Sequence, residues 1–181
     1  MNLLDALLMS RKMKFEDGSI TLYGESVAIL PLEGFIMYAS KIASDKSTTK
    51  ILYSTMRNSM LEQRNKLNAE SKDNDPSGWI CNSINLYGFG KMRYEKPLSS
   101  QNRTMILECS PFVKILKGKS SAPVDHIVRG ALAGIASIAT GQELHALETD
   151  CAVSGRENCR FILDSKEKLV NEFRELCEMQ I

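Results

Sequence analysis

The sequence predicts an α+β fold, an antiparallel sheet packed with helices. Three observations carry this. Short segments that alternate polar and apolar residues, such as 19–23, are interleaved with long segments whose apolar residues recur every three or four positions, such as 48–71. Two strand-like segments, 144–151 and 158–163, are joined by the turn-forming Ser154-Gly155-Arg156-Glu157. Strands and helices come in runs and not in strict alternation, which separates this pattern from a parallel α/β sheet.

Element by element, residues 2–14 carry a helical pattern and Glu16-Asp17-Gly18 a turn. Ser19-Ile20-Thr21-Leu22-Tyr23 reads as a half-buried strand. A short apolar stretch, 27–30, ends at Pro31, which suits the first turn of a helix because no N–H is needed there. That helix places Leu32, Phe35, Ile36, Ala39 and Ile42 on one face. The longest helical pattern, 48–71, is broken by Asp73-Asn74-Asp75-Pro76-Ser77-Gly78. Asp75 or Ser77 then caps a helix through Trp79, Ile80, Ile84 and Leu86, which ends at Tyr87-Gly88-Phe89-Gly90.

Strands are expected at 91–95 and 103–109, with a loop at 96–102, whereas 111–116 fits either helix or strand. Lys117-Gly118-Lys119-Ser120-Ser121 is a connection and not a phosphate loop, because Val113 stands where that motif needs its first glycine. Residues 123–140 form a helix of small residues. Gly130 and Gly134 lie inside it, each costing about 1 kcal/mol against alanine. Such a helix needs a neighbour close to its backbone, either another element or a ligand. The final helix, 165–181, turns Leu169, Phe173, Leu176 and Cys177 inward.

The 181 residues suit one domain spanning 1–181, and 43% hydrophobic residues suffice for a core without disulfides. A net charge of +1 gives no electrostatic case for nucleic acid or anionic lipid. No stretch is long and apolar enough to span a bilayer. The apolar 1–9 is interrupted by Asp5 and followed, not preceded, by Arg11 and Lys12, so it reads as an amphipathic helix and not an export signal. Five cysteines, an odd number, then point to reduced thiols in a cytoplasmic protein.

Chemistry concentrates in Glu148-x2-Cys151-x7-Cys159. Glu148 and Cys151 start on opposite faces of a regular strand, so a bulge or turn near Thr149-Asp150 is needed to bring them together. Cys159 is within reach across the hairpin. Two thiolates and a carboxylate suit a borderline-soft divalent ion, zinc by default. The spacing alone fits two buried core cysteines equally well.

The same stretch resembles a known family. Gly130-x3-Gly134, Gly141 and Glu148-x2-Cys151-x3-Gly155-x3-Cys159-x-Phe161 are similar to the C-terminal signature of the 4-vinyl reductase domain. Phe15-Glu16-Asp17-Gly18-x-Ile20-x-Leu22, Ile51-Leu52-Tyr53 and Gly88-x-Gly90 extend the likeness over nearly the whole chain. The resemblance implies the α+β ligand-binding fold shared with haem nitric-oxide-signalling domains and TRAPP Golgi-transport subunits. It also implies a zinc ion on Glu148, Cys151 and Cys159, within a signature spanning 123–164, beside a pocket for a small hydrophobic or aromatic molecule. The family's upstream cysteine falls on Asp125, followed by His126. One of these two, or water, takes the fourth position.

Expected pocket residues are Gly130, Gly134, Trp79, Phe89 and Phe112, with Tyr87 beside them. The leading expectation is a stand-alone sensory module with a regulatory role, acting as a homodimer to which residues 1–24 contribute. An assembly module like the TRAPP subunits is the alternative. A tetrapyrrole vinyl reductase component is disfavoured: there is no dinucleotide fingerprint, and the only histidines are His126 and His145.

Overall fold

A computed structural model describes residues 9, 13–16, 19–22, 25–27, 31–42, 46–63, 76–96, 103–120 and 122–181. The chain divides into two compact units, 1–35 and 36–181. In the first, β1 (Met13–Glu16), β2 (Ser19–Leu22) and β3 (Glu25–Val27) form an antiparallel three-stranded sheet. The helical pattern over 2–14 therefore gives way to strand by Met13. Its earlier part lies outside the described residues, apart from a helical Met9.

The second unit contains a four-stranded antiparallel sheet in the order β4-β5-β7-β6, made of β4 (Lys91–Lys96), β5 (Arg103–Glu108), β6 (His145–Asp150) and β7 (Cys159–Asp164). Around it lie α1 (Leu32–Ile42), which begins in the first unit, α2 (Lys46–Glu62), α3 (Pro76–Leu86), α4 (Pro111–Leu116), α5 (His126–Thr140) and α6 (Lys166–Gln180). The expected cap at Asp75 and the end of the 48–71 pattern lie outside the described residues, whereas Ser77 sits inside α3. Residues 111–116 resolve to helix because Ser110 caps them, its Oγ accepting from the Val113 N–H at 3.3 Å, and Pro111 occupies the first turn. No described helix is long and apolar enough to cross a membrane.

Helix α5 is the centre of the core. Every residue from Ile127 to Ile138 is buried, Arg129 and Ser137 among them, so the helix is enclosed on all sides. Gly130 and Gly134 lie one turn apart on the face toward α2. A Cβ on Gly130 would stand 2.4 Å from the Tyr53 carbonyl oxygen, and one on Gly134 2.5 Å from Met60 Cβ. The small residues thus allow two helix backbones to touch. Toward the sheet, α5 meets Phe161 and Leu163 of β7 and Met105 and Leu107 of β5 in one cluster. Leu147 points the other way and packs with Leu169 and Cys177 of α6.

The β6–β7 ladder is regular through Glu148↔Phe161 and then shifts, so that Asp150 pairs with Arg160. This is the bulge at Thr149 that the Glu148–Cys151 spacing requires. Cys151 follows in extended conformation, and a short 3-10 turn, Ala152–Ser154, closes at Gly155 with φ +88°.

Gly130→Ala should destabilise the protein by about 2 kcal/mol or more, because backbone atoms of α2 cannot yield as a side chain can. Gly34→Ala in α1, where a Cβ meets nothing, should be neutral or stabilising by up to about 1 kcal/mol. Urea unfolding of the two variants checks this pair.

Candidate metal centre and adjoining cavity

Four buried side chains converge where α5, β6 and β7 meet. Asp125, Glu148, Cys151 and Cys159 each offer a ligand atom, and these atoms all lie within 4.8 Å of one another. Each comes from a position that the local structure frees. Asp125 directly precedes α5 but does not cap it. Its Oδ1 instead accepts from Ser110 Oγ at 2.6 Å. Glu148 is the last regular residue before the bulge, Cys151 is the first beyond β6, and Cys159 opens β7.

The cluster gathers buried acidic groups that a cation would neutralise. Asp125 is fully buried and Glu148 is 1% exposed. Asp125 Oδ2 and both Glu148 carboxylate oxygens lack a hydrogen-bond partner. An unsatisfied buried carboxylate is costly, so such groups call for a counter-charge. Burial pushes Asp125 up to about 6. Burial, then the facing charges of Asp125 and Cys151, push Glu148 well above the usual carboxylate range. The two thiols are in contact: Cys159 Sγ donates to Cys151 Sγ at 3.9 Å. This contact brings Cys151 down to about 6 and raises Cys159. The Ala152 N–H adds a donor to Cys159 Sγ at 3.3 Å. Two carboxylates and two thiols form a donor set that fits a borderline-soft divalent ion.

Three residues that the sequence reading passed over or placed differently surround this cluster. Arg129 is fully buried one turn into α5. Its NH1 donates to the Gln180 carbonyl at 2.9 Å, and its guanidinium lies 5.1 Å from the Tyr53 ring centre. Its charge acts favourably on Glu148, Tyr53 and Asp125. Gln180 clasps the Glu148 backbone from α6: its Nε2 donates to the carbonyl and its Oε1 accepts from the N–H, both at 2.9 Å. His126 turns away from the cluster and meets Arg129 NH2 through Nδ1 at 3.1 Å. Burial holds its ring at about 3, hence neutral. A charged residue within an otherwise apolar helix, as in Ile127-Val128-Arg129-Gly130-Ala131, was the available signal for Arg129. Nothing in the sequence singles out Gln180.

A cavity of about 560 Å³ lies on the other side of the α5 N-terminus. His126, Ile127 and Gln180 belong to its wall, together with Ile36, Phe112 and Leu116. Asp125 faces the cluster and the next residue faces the cavity. Of the pocket residues expected from sequence, Phe112 lines this space. Gly130 and Gly134 face α2 instead, and Trp79, Tyr87 and Phe89 pack against the core. Phe89 reaches Phe112 from behind, with ring centres 6.4 Å apart.

The antiparallel four-stranded sheet and the helices around it define an α+β domain, the fold class that the sequence predicts. No protein-family model and no curated protein sequence matches the chain. Among solved structures, the phenol-responsive sensory domain of the transcription activator PoxR, crystallised with phenol, superposes at TM-score 0.76 and 16% identity. The match covers 99% of this chain and 98% of that one. A vinyl-4-reductase family protein from Methanocaldococcus jannaschii matches 76% of this chain and 83% of its own at TM-score 0.52 and 17% identity. A trafficking protein particle complex subunit 3 from Naegleria fowleri, covalently bound to palmitic acid, matches 74% of this chain and 95% of its own at 0.49 and 12%. The chain therefore has the fold of the PoxR sensory domain and of the vinyl-4-reductase family protein.

Arg129→Met, which keeps bulk and removes charge, should destabilise the metal-free protein by about 3 kcal/mol, since it strips the buried Gln180 carbonyl of its donor and removes the one fixed positive charge facing the carboxyl cluster. Arg93→Met, which breaks the solvent-screened pair with Glu108, should leave stability nearly unchanged. Denaturant midpoints of the two variants separate the cases.

Proposed function

We propose that this chain is a small-molecule-binding sensory domain in which a zinc ion, held by Asp125, Glu148, Cys151 and Cys159, braces the wall of an apolar cavity. The carrying observation is the buried four-residue ligand set with its three unsatisfied carboxylate oxygens, one residue removed from a cavity wall. In this reading Asp125 takes the fourth ligand position and His126 belongs to the cavity. All positions are then filled by protein, which makes the ion structural. The cavity takes a small hydrophobic or aromatic molecule. The shared fold supports a sensory role, because the PoxR domain responds to phenol. We further read the chain as a single cytoplasmic domain that works as a homodimer and regulates through a partner.

Protein purified without added metal should carry about one zinc per chain, and Cys151→Ser should carry almost none. Elemental analysis of both decides the matter, and near-zero zinc in both would sink the metal reading. Affinity should also fall as pH drops from about 8 to about 6. The sign follows from the raised Glu148, Asp125 and Cys159 groups: protons compete with zinc for them, and compete better as pH falls. Competition with a chromophoric chelator across that range reads the slope.

For the cavity, a thermal-shift screen with aromatic and short-chain amphiphilic compounds should find ligands that raise Tm by about 5 °C when saturating. A flat screen, together with no bound species in native mass spectra, would favour the assembly-module reading.

A further inference from the structure

The cavity wall is unevenly charged. Its described residues include two lysines, Lys46 and Lys119, one histidine and no carboxylate. A cleft lined by charges of one sign concentrates molecules of the opposite sign, so this wall points to the charge of what enters.

Both lysines also lie on the exposed part of the wall. Lys46, Lys119 and Met179 are exposed and mark the mouth, whereas Ile36, Phe112, Leu116 and Ile127 are buried and form the interior. No described carboxylate pairs with either ammonium group. Lys119 Nζ meets the thioether of Met37 at 3.9 Å, a weak acceptor. Two polar groups of the inner wall, by contrast, are engaged. Gln180 is committed to the Glu148 backbone and His126 Nδ1 to Arg129. The interior thus offers apolar contact, and the mouth offers unpaired positive charge.

We infer that the ligand of this cavity is an organic acid with an apolar body, its carboxylate held at the mouth by Lys46 and Lys119 and its body against Phe112, Leu116 and Ile127. The inference rests on the ligand-binding reading above and narrows it. A neutral phenol would use the interior and leave both lysines idle. An acid uses both ends, and its head keeps part of its hydration, so it avoids the cost of burying a charge. The cavity volume of about 560 Å³ lies in the range that accommodates a drug-sized molecule.

The experiment compares matched acid and alcohol pairs by isothermal titration: decanoate with decanol, and 1-naphthylacetate with 2-(1-naphthyl)ethanol. One pair is aliphatic and one aromatic, so the body and the head are judged separately. The acid of at least one pair should bind about tenfold tighter than its alcohol at low salt. That advantage should shrink as ionic strength rises to about 0.5 M. The double variant Lys46→Met/Lys119→Met changes two exposed side chains and should fold normally. It should bring the acid down to the affinity of its alcohol while leaving the alcohol unchanged. Alcohols that bind as tightly as acids, or an acid advantage that survives the double variant, would overturn the inference and leave the cavity reading standing. No binding by any of the four compounds would overturn both.

Discussion

Contact between the backbones of α2 and α5 at Gly130 and Gly134 fixes where everything else can be. A side chain at either glycine would meet the Tyr53 carbonyl or Met60 at less than van der Waals distance. With that contact made, α5 lies between α2 and the sheet, buried on all sides. Its first residues then have one place to go. Asp125 meets Glu148, Cys151 and Cys159, His126 turns to the cavity, and Arg129 lies between Tyr53, Gln180 and the carboxylates. A helix set farther from α2 by a single methyl group would carry all three with it.

The cluster itself is a balance of charges in a low-dielectric interior. Two carboxylates and two thiols, all buried, would repel one another if ionised together. Three features offset this. Protons occupy some of the groups, Arg129 supplies one fixed positive charge, and a divalent ion would supply the rest. Gln180 contributes geometry and not charge: by closing both polar backbone groups of Glu148, it holds β6 in place at the residue before the ladder breaks.

Much of this was legible in the sequence because it rests on local rules. The hairpin, the small-residue helix and the need for a bulge between Glu148 and Cys151 all follow from periodicity and side-chain direction. The ambiguity at 111–116 was resolved by a cap, Ser110, whose hydroxyl also reaches Asp125 fifteen residues on. What stayed hidden depends on long-range approach. Gly130 and Gly134 announced a close neighbour but not which one, and it proved to be a helix. Arg129 is a charge inside an apolar helix, which signals burial, but its partners Tyr53 and Gln180 lie in other elements far along the chain. Gln180 meets Glu148 across 32 positions, with no motif linking them. The helical pattern over 2–14 yields to strand by Met13, where pairing with Leu22 outweighs propensity.

Burial of α5 on every side has a bearing on how the second unit comes apart. A helix with one exposed face can detach while its neighbours persist. Here α5 forms the shared wall of α2, α3 and the sheet, so no neighbour can keep its packing once the helix leaves. Opening of the unit is then all-or-none at its centre, and slow amide exchange along 127–138 reports the global equilibrium. The partners of α5 lie far away in sequence, Tyr53 some eighty residues upstream of Ala133. The centre therefore forms late, after long chain loops have closed, and such topologies fold slowly.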